Sequence, residues 1–301
     1  MKNTVLILIL FISLLASPSR SQDKRPETDP DWSKPYPAFK IAGNLYYVGT
    51  YDLASYLLVT PKGNILINTG LADSYSTIKE NIESLGFSFK DTRILLITQA
   101  HYDHTGALAQ IKKETGAKLF VNGPDADALR TGGRTDYEMG KYGETFSPVS
   151  PDKLLHDRSV VKLGNTRLVL LSHPGHTKGS CSYLVDVNEG GKTLRVLIAN
   201  MPSIIISRKF SEVKDYPNIR RDYAYTFDAM KRLKFDLWVA SHASQFNLHE
   251  LRKPGDPFIS AIFGNRKAFF EKLSGLEESY RAKLKTEDDK AVKRKAGTKR
   301  Q

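Results

Sequence analysis

Metal-binding side chains cluster in one short stretch, residues 98–106, with the sequence TQAHYDHTG. His101, Asp103 and His104 fall within four residues, directly after a short apolar strand predicted over 93–98 and before a predicted helix. Neutral imidazole and carboxylate are the usual donors for zinc. A lone histidine is most often a hydrogen-bonded core residue, but two histidines and an aspartate at one strand end favour a metal site.

Two further histidines follow other predicted strands. His176 lies in the stretch SHPGHTKG and His242 in the stretch ASHA, each directly after an apolar run. Three strand ends would then bring metal ligands to one edge of a sheet, which is enough for a site with two metal ions. His156 and His249 lack this setting, and we expect both at the surface.

The elements that must position these residues follow from the hydrophobic pattern. Strands are predicted over 45–48, 55–60, 65–68, 93–98, 118–121, 159–163, 167–171, 180–187, 193–199 and 237–240. Helices are predicted over 74–85, 105–115, 125–130, 222–233 and 261–280. In both halves of the chain the strands come before the helices. This order indicates an α/β protein in which two sheets pack face to face with helices outside.

The two ends of the chain differ from its middle. An apolar run after Lys2, followed by small residues near Ser21, is typical of a cleaved signal peptide over 1–21, because a transmembrane helix needs about 20 apolar residues. The segment 285–301 is rich in Lys and Arg and is expected to be a disordered basic tail. Between them, 22–284 is expected to form a single domain.

The composition excludes several classes of protein. Of the 301 residues, 40% are hydrophobic and 26% are charged, so the chain is neither disordered nor fibrous. The single cysteine, Cys181, excludes a disulfide framework, and its apolar strand favours a packing role. Much of the net charge of +12 comes from the basic tail. We expect that tail to keep the chain soluble rather than to bind nucleic acid, and we expect a monomer without stable membrane insertion.

The order of these ligands resembles the metallo-β-lactamase superfamily, over about residues 39–270. His-x-Asp-His at 101–104, Pro-Gly-His-Thr at 174–177 and a late histidine at 242 carry the resemblance. The chain is similar to the third subclass of the class B β-lactamases, which lacks a zinc-binding cysteine. Gln99 in place of the usual first histidine resembles the GOB branch. The resemblance implies a four-layer αβ/βα sandwich of two mainly antiparallel sheets.

The resemblance also implies a site for up to two zinc ions. The implied ligands are Gln99, His101 and His176 for the first ion and Asp103, His104 and His242 for the second. An amide oxygen is a poorer zinc donor than imidazole, so the first site is expected to be the weaker one. Zinc lowers the pKa of a bound water to about 7, and the hydroxide would attack a lactam carbonyl. Asp103 would orient this nucleophile and is the expected catalytic residue.

The activity implied is that of a secreted, periplasmic β-lactamase that hydrolyses penicillins, cephalosporins and carbapenems and confers antibiotic resistance. We expect Ser203 to bind the substrate carboxylate. Tyr142 lies in a Gly-rich loop predicted over 131–151, and long loops of this kind are often lids. We expect it to cover the apolar groups of the substrate. An ordinary loop serine and simple loop packing are the alternatives for these two residues.

Another hydrolase on the same scaffold, acting on a thioester, lactone or phosphodiester, is the alternative function. Such relatives commonly bridge the two metals with an aspartate from the strand end that here has the sequence ANMP at 199–202. The lack of an acid there, together with export, argues against them. A binding module that works through its basic tail would leave the ligand cluster unexplained.

Overall fold

The computed structural model describes residues 27–298, with side chains to residue 287. The predicted signal peptide, 1–21, and the last three residues lie outside this range. The strands are β1 (Phe39–Ala42), β2 (Leu45–Tyr47), β3 (Tyr56–Thr60), β4 (Gly63–Ile67), β5 (Thr92–Leu96), β6 (Lys118–Asn122), β7 (Lys153–Leu155), β8 (Val160–Leu163), β9 (Thr166–Ser172), β10 (Cys181–Glu189), β11 (Lys192–Ala199) and β12 (Leu237–Ala240). The α-helices are α1 (Ser74–Ser84), α2 (Tyr102–Thr105), α3 (Leu108–Thr115), α4 (Ala126–Arg130), α5 (Ile219–Lys231), α6 (Leu248–Leu251) and α7 (Arg266–Thr298).

The strands form two mixed sheets. In the first, β1 to β4 form an antiparallel meander, and β4 to β7 pair in parallel. In the second, β8 to β11 are antiparallel and β12 pairs in parallel with β11. The expected two-sheet sandwich is confirmed, with more parallel pairing in the first sheet than the pattern indicated. Parallel neighbours end at the same edge of a sheet, and this brings the loops after β5 and β12 within reach of the site.

The two sheets face each other because their apolar residues alternate with period two. On β3, Tyr56 and Leu58 belong to the core between the sheets, whereas Leu57 belongs to the core on the outer face. The second sheet contributes residues such as Leu170 and Tyr183 to the shared core. A shift of one residue in any of these strands would exchange the two faces.

Helices cover the outer faces and complete four layers. On the first sheet, α1 buries Ile78 and Ile82, and α3 buries Leu108 and Ile111 in the outer core. On the second sheet, α5 and α7 pack through aromatic and aliphatic residues, which include Tyr223, Phe227, Met230, Phe269 and Leu273. Among the described helices, none combines the length and the apolar character that crossing a bilayer requires.

Sequence reasoning missed two short strands and the true ends of two helices. β1 and β7 have four and three residues, too few for a periodic signal. The helix predicted from 222 begins at Ile219 because Asn218 precedes it in a non-helical conformation. The helix predicted over 105–115 is divided at Gly106, where the backbone N–H donates to Gly70 O instead of continuing the helix.

The last helix is longer than predicted and reaches into the segment expected as a tail. Its backbone is helical from Arg266 to Thr298. Tyr280 donates a hydrogen bond to Arg220 O at 2.8 Å, and Glu287 Oε1 accepts one from Phe210 N at 2.6 Å. These contacts attach the helix to α5 and to the segment before α5. The division of the chain into leader, domain and tail stays a prediction.

Leu170→Ala is expected to lower the free energy of unfolding by about 2–5 kcal/mol, because it leaves a cavity between the sheets. The matched control, Leu154→Ala, removes the same atoms from a side chain that is 52% exposed and is expected to cost under about 0.5 kcal/mol. Urea unfolding of both variants in excess chelator measures the difference. Equal losses would contradict the core described above.

Candidate metal centre

Three strand ends bring the predicted ligands to one edge of the sandwich. The loop after β5 carries Gln99 and His101, α2 carries the next two ligands, and the loops after β9 and β12 carry His176 and His242. Of the six predicted ligands, all but the fully buried His104 line an open cleft of about 370 Å³. The fold therefore brings together residues that lie up to 143 positions apart in the sequence.

Asp103, His104 and His242 form the tightest group. Their ligand atoms all lie within 4.8 Å of one another, with Asp103 Oδ2 3.1 Å from His104 Nε2 and 3.4 Å from His242 Nε2. Both ring nitrogens of His104 are buried without a hydrogen-bond partner. Buried polar atoms without partners are rare in native proteins. This donor set therefore fits a metal ion.

His101 and His176 form a second group in the lining of the same cleft. Their ring centroids lie 5.0 Å apart, and Gln99, which is 3% exposed, lines the same cleft. His101 Nε2 is buried and has no hydrogen-bond partner. Two imidazoles and an amide oxygen make an acceptable but weaker donor set for zinc than three imidazoles.

Three of these imidazoles have an oxygen opposite one ring nitrogen. The pairs are His242 Nδ1 with Asp52 Oδ2 at 3.0 Å, His176 Nδ1 with Ser203 O at 2.8 Å, and His101 Nε2 with Asp136 Oδ2 at 3.4 Å, an ion-pair distance. Partners of this kind orient a histidine ring and leave its other nitrogen for a metal ion. In each of the three rings, the nitrogen opposite the oxygen is occupied, and the other nitrogen is the one available to a metal ion.

The charges of the tight group are strongly coupled. Burial raises the pKa of Asp103, but the neighbouring imidazoles of His104 and His242 outweigh burial and hold the pKa well below its usual value. Burial lowers the pKa of His242, whereas Asp103 and Asp52 raise it to about 9. His242 therefore carries a proton at neutral pH that a metal ion would displace. Burial and the charge of His101 lower the pKa of His176 to about 3, so this ring is neutral.

Thr98 ties the strand ends together behind the ligands. Its carbonyl oxygen accepts hydrogen bonds from Cys181 N at 2.8 Å and from Asn200 Nδ2 at 3.0 Å. Its hydroxyl lies 2.9 Å from Ser241 Oγ, and its backbone N–H donates to Asn68 Oδ1 at 2.9 Å. One residue of the first sheet thereby contacts both β10 and the loops after β11 and β12.

The carboxylate of Asp125 joins the two loops that carry His101 and His176. Its Oδ2 accepts hydrogen bonds from Ala100 N at 2.9 Å and Thr177 Oγ1 at 2.8 Å, and its Oδ1 accepts one from Gly179 N at 2.7 Å. Burial raises the pKa of this carboxyl to about 6 against these hydrogen bonds. The approach needs glycine at 179, because a Cβ there would lie 2.6 Å from the Asp125 backbone nitrogen.

The two predicted substrate-binding residues have different positions. Ser203 lines the cleft, and its hydroxyl lies 3.1 Å from His176 Nδ1. Tyr142 is half-buried and pairs with Lys141 through its ring, but it does not belong to the described lining of the cleft. Met139, from the same loop, lines the cleft instead.

Three residues outside the ligand set, Cys181, His156 and His249, also had a position predicted from the sequence. Cys181 is fully buried, and burial raises the pKa of its thiol to about 12, which agrees with a packing role. His156 is exposed, as predicted. The surface position expected for His249 is wrong: its ring stacks on Tyr51 at 3.7 Å, and its Nε2 lies 2.8 Å from Tyr51 O.

The aromatic wall of the cleft and the acids behind the ligands were missed. The Trp32 ring lies 5.6 Å from the ring of His242 and lines the cleft. Asp52, Asp125 and Asp136 contact the ligands or their loops. In the sequence these acids stand in loops or, for Asp125, at the start of a predicted helix, with no spacing that relates them to a histidine. Nothing local distinguishes them from acids exposed to solvent.

Known proteins share this arrangement. Residues 50–189 match the family model of the metallo-beta-lactamase superfamily. The structure is similar to that of the metallo-β-lactamase GOB-18 from Elizabethkingia meningoseptica, with 59% identity, a TM-score of 0.86, and coverage of 89% of this chain and 99% of that chain. It is also similar to the class B3 di-zinc metallo-β-lactamase LRA-12 from an Alaskan soil metagenome, with 56% identity, a TM-score of 0.85, and coverage of 87% and 99%.

Curated relatives match over shorter stretches. A hydroxyacylglutathione hydrolase from Shewanella loihica is 36% identical over 92 residues, which are 31% of this chain and 29% of that protein. The chain spans less than two thirds of the length of the first curated relatives that it matches. The two solved structures, in contrast, are covered almost completely at more than half identity. The chain therefore belongs to the metallo-β-lactamase family, within the GOB-like part of class B3.

Proposed function

We propose that this chain is a zinc-dependent β-lactamase that hydrolyses the amide bond of penicillins, cephalosporins and carbapenems and so confers antibiotic resistance. The observation that carries the proposal is the close group of Asp103, His104 and His242, beside His101 and His176 at one cleft. The similarity to GOB-18 and LRA-12, both named metallo-β-lactamases, supports the substrate class.

The donor set fits up to two zinc ions. The proposed ligands are Gln99, His101 and His176 for the first ion and Asp103, His104 and His242 for the second. The unpartnered ring nitrogens of His104 support this assignment, as does the description of LRA-12 as a di-zinc enzyme. When bound, zinc supplies a Lewis acid for the lactam carbonyl and a nucleophile at neutral pH.

Asp103 is the proposed catalytic residue, because its carboxylate stays ionised beside the reacting water. The imidazoles of His104 and His242 lower its pKa against burial, so one oxygen accepts a hydrogen bond and orients the water toward the carbonyl carbon. Attack forms the carbon–oxygen bond of the product carboxylate. The carbon–nitrogen bond of the lactam breaks, its nitrogen takes up one proton of the attacking water, and the other proton passes to solvent as the new carboxyl group ionises.

The polar rim of the cleft suits the carboxylate that every substrate of this class carries. The described lining of the cleft contains hydroxyls from Ser203 and Ser244 and no lysine or arginine. Recognition by hydroxyl donors and by the metal follows from this composition. Trp32 and Met139 supply apolar surface on which the side groups of the substrate are proposed to rest.

The periplasmic location and the monomeric state belong to the same proposal. The apolar run at 5–16, with Lys2 before it and small residues after it, supports export. Light scattering of the purified mature chain tests the monomer, and N-terminal sequencing of the exported protein tests cleavage near Ser21.

Hydrolysis of a chromogenic cephalosporin and of a carbapenem by the purified mature chain tests the activity. Exhaustive chelation is expected to remove at least about 99% of it, because the chemistry needs zinc, and added zinc is expected to restore it. Clavulanate is expected to have no effect, since neither serine of the cleft, Ser203 or Ser244, belongs to a Ser-x-x-Lys motif. Full activity in protein shown to be free of zinc would refute the proposal, and faster turnover of a hydroxyacylglutathione thioester would favour the alternative hydrolase.

Asp103→Ala and His242→Ala are each expected to lower kcat/KM by at least about 100-fold, because they remove the oriented carboxylate and a proposed ligand. His156→Ala is the matched control, since this histidine is exposed and should keep full activity. His249 is a poorer control because it contacts Tyr51, the neighbour of Asp52. Circular dichroism verifies folding, and equal losses in all three variants would show that the site is misplaced.

Gln99→His is expected to tighten zinc at the first site by about tenfold or more, because imidazole is the better donor. The control Gln110→His adds the same imidazole on the exposed face of α3. A competitive titration against a chromophoric chelator measures both zinc affinities. If Gln99→His and wild type bind both ions equally well, Gln99 is not a ligand.

A further inference from the structure

The Gly-rich loop contacts the candidate metal centre through consecutive residues. Asp136 Oδ2 lies 3.4 Å from His101 Nε2, and both side chains are at most 5% exposed. The hydroxyl of the next residue, Tyr137, donates hydrogen bonds to Gly175 O at 3.1 Å and His176 O at 3.0 Å. Two neighbouring loop residues therefore contact the two histidines proposed for the first zinc ion.

The next two residues connect the same turn to the cleft wall. Glu138 is buried and forms an ion pair with Arg208 at 3.2 Å, while Arg208 also donates a hydrogen bond to Tyr137 O. Met139 lines the cleft itself. The turn over 136–139 therefore determines two things. It places Met139 in the wall of the cleft, and it forms part of the surroundings of His101 and His176.

The two oxygens of Asp136 have different partners. Oδ1 accepts hydrogen bonds from the backbone N–H groups of Glu138 at 2.8 Å and Met139 at 2.7 Å, which closes the turn. Oδ2 faces His101. One buried carboxylate therefore stabilises the turn with one oxygen and faces a ligand with the other.

Other acids near His101 do not have this geometry. Asp125 also acts on the charge of this ring, but its oxygens already accept hydrogen bonds from Ala100, Thr177 and Gly179. Asp103 belongs to the tight group with His104 and His242. Among the described residues, Asp136 is the acid that lies at ion-pair distance from Nε2 of His101.

We propose that Asp136 is a positioning residue that couples the Gly-rich loop to zinc at the first site. It holds Nε2 of His101, which leaves Nδ1 of the same ring for the metal ion. The inference rests on the ligand set of the proposed function. Partners of this kind typically change metal affinity by about 10–100-fold.

The coupling has a reciprocal consequence. If the turn that Asp136 closes strengthens zinc binding, then zinc binding must stabilise the turn by the same free energy. Zinc is therefore expected to slow hydrogen exchange at the amides of Glu138 and Met139. A role of Asp136 in the loop alone would leave this exchange independent of zinc.

The test compares wild type with Asp136→Asn, with Asp127→Asn as the matched control. Asparagine keeps an oxygen for the turn and loses the charge that faces His101, and Asp127 is an acid nearby with a side chain that is 81% exposed. In a competitive zinc titration of the full mature chain, Asp136→Asn is expected to weaken the first site by about 10–100-fold and to leave the second unchanged. Asp127→Asn is expected to match wild type at both.

Hydrogen exchange of the same proteins, with and without zinc, is the second measurement. Wild type and Asp127→Asn are expected to show slower exchange at residues 138 and 139 with zinc, and Asp136→Asn is expected to lose most of that difference. Unchanged first-site affinity in Asp136→Asn overturns the proposal. The proposal is also overturned if zinc does not change hydrogen exchange at residues 138 and 139 of the wild-type protein. This second result does not depend on whether a variant folds. If the wild-type protein shows the coupling but hydrolyses no β-lactam, the proposed substrate is wrong and the inference about Asp136 is still supported.

Discussion

The buried carboxylate of Asp125 holds the two halves of the candidate site at a fixed separation. Its three hydrogen bonds reach a loop from the first sheet and a loop from the second, and two of the bonded residues, Ala100 and Thr177, are direct chain neighbours of His101 and His176. These hydrogen bonds offset part of the free-energy cost of burying the carboxyl group. Thr98 makes the corresponding connection through backbone atoms. Together they turn the edge between two sheets into one rigid surface.

The packed layers of the fold fix the strands whose ends carry the candidate site. Alternating apolar residues give both sheets a common core, and helices cover the outer faces, so the strands have little freedom to slide. The ligands stand on the loops that leave such strands. A donor set with unpartnered buried nitrogens persists only where the surroundings hold it in place. A bound metal ion would remove the free-energy cost that these unpartnered nitrogens impose on the protein alone.

Much of the site was accessible from the sequence because its signals are local. His101, Asp103 and His104 occupy four residues at a strand end, and strands of period two predicted most of both sheets. Contacts between distant segments left no such signal: Asp52 meets His242 across 190 positions, and Asp136 meets His101 from a loop without periodicity. For the same reason Met139 was not predicted to line the cleft, and the role expected for Tyr142 stays a prediction. The turn closed by Asp136 presents Met139 to the cleft, and composition alone cannot show this.

The position of Trp32 gives the site an optical reporter. The chain has two tryptophans, and they lie in opposite surroundings. Trp238 is buried in the core of the second sheet, where its indole N–H donates to Asn265 O at 2.9 Å. Trp32 stands 5.6 Å from His242, a proposed ligand of the second zinc ion. A metal ion bound at that imidazole would change the charge beside the indole, and indole emission responds to nearby charge. The emission of the unlabelled protein is therefore expected to report the occupancy of the proposed metal centre, with the buried Trp238 as background.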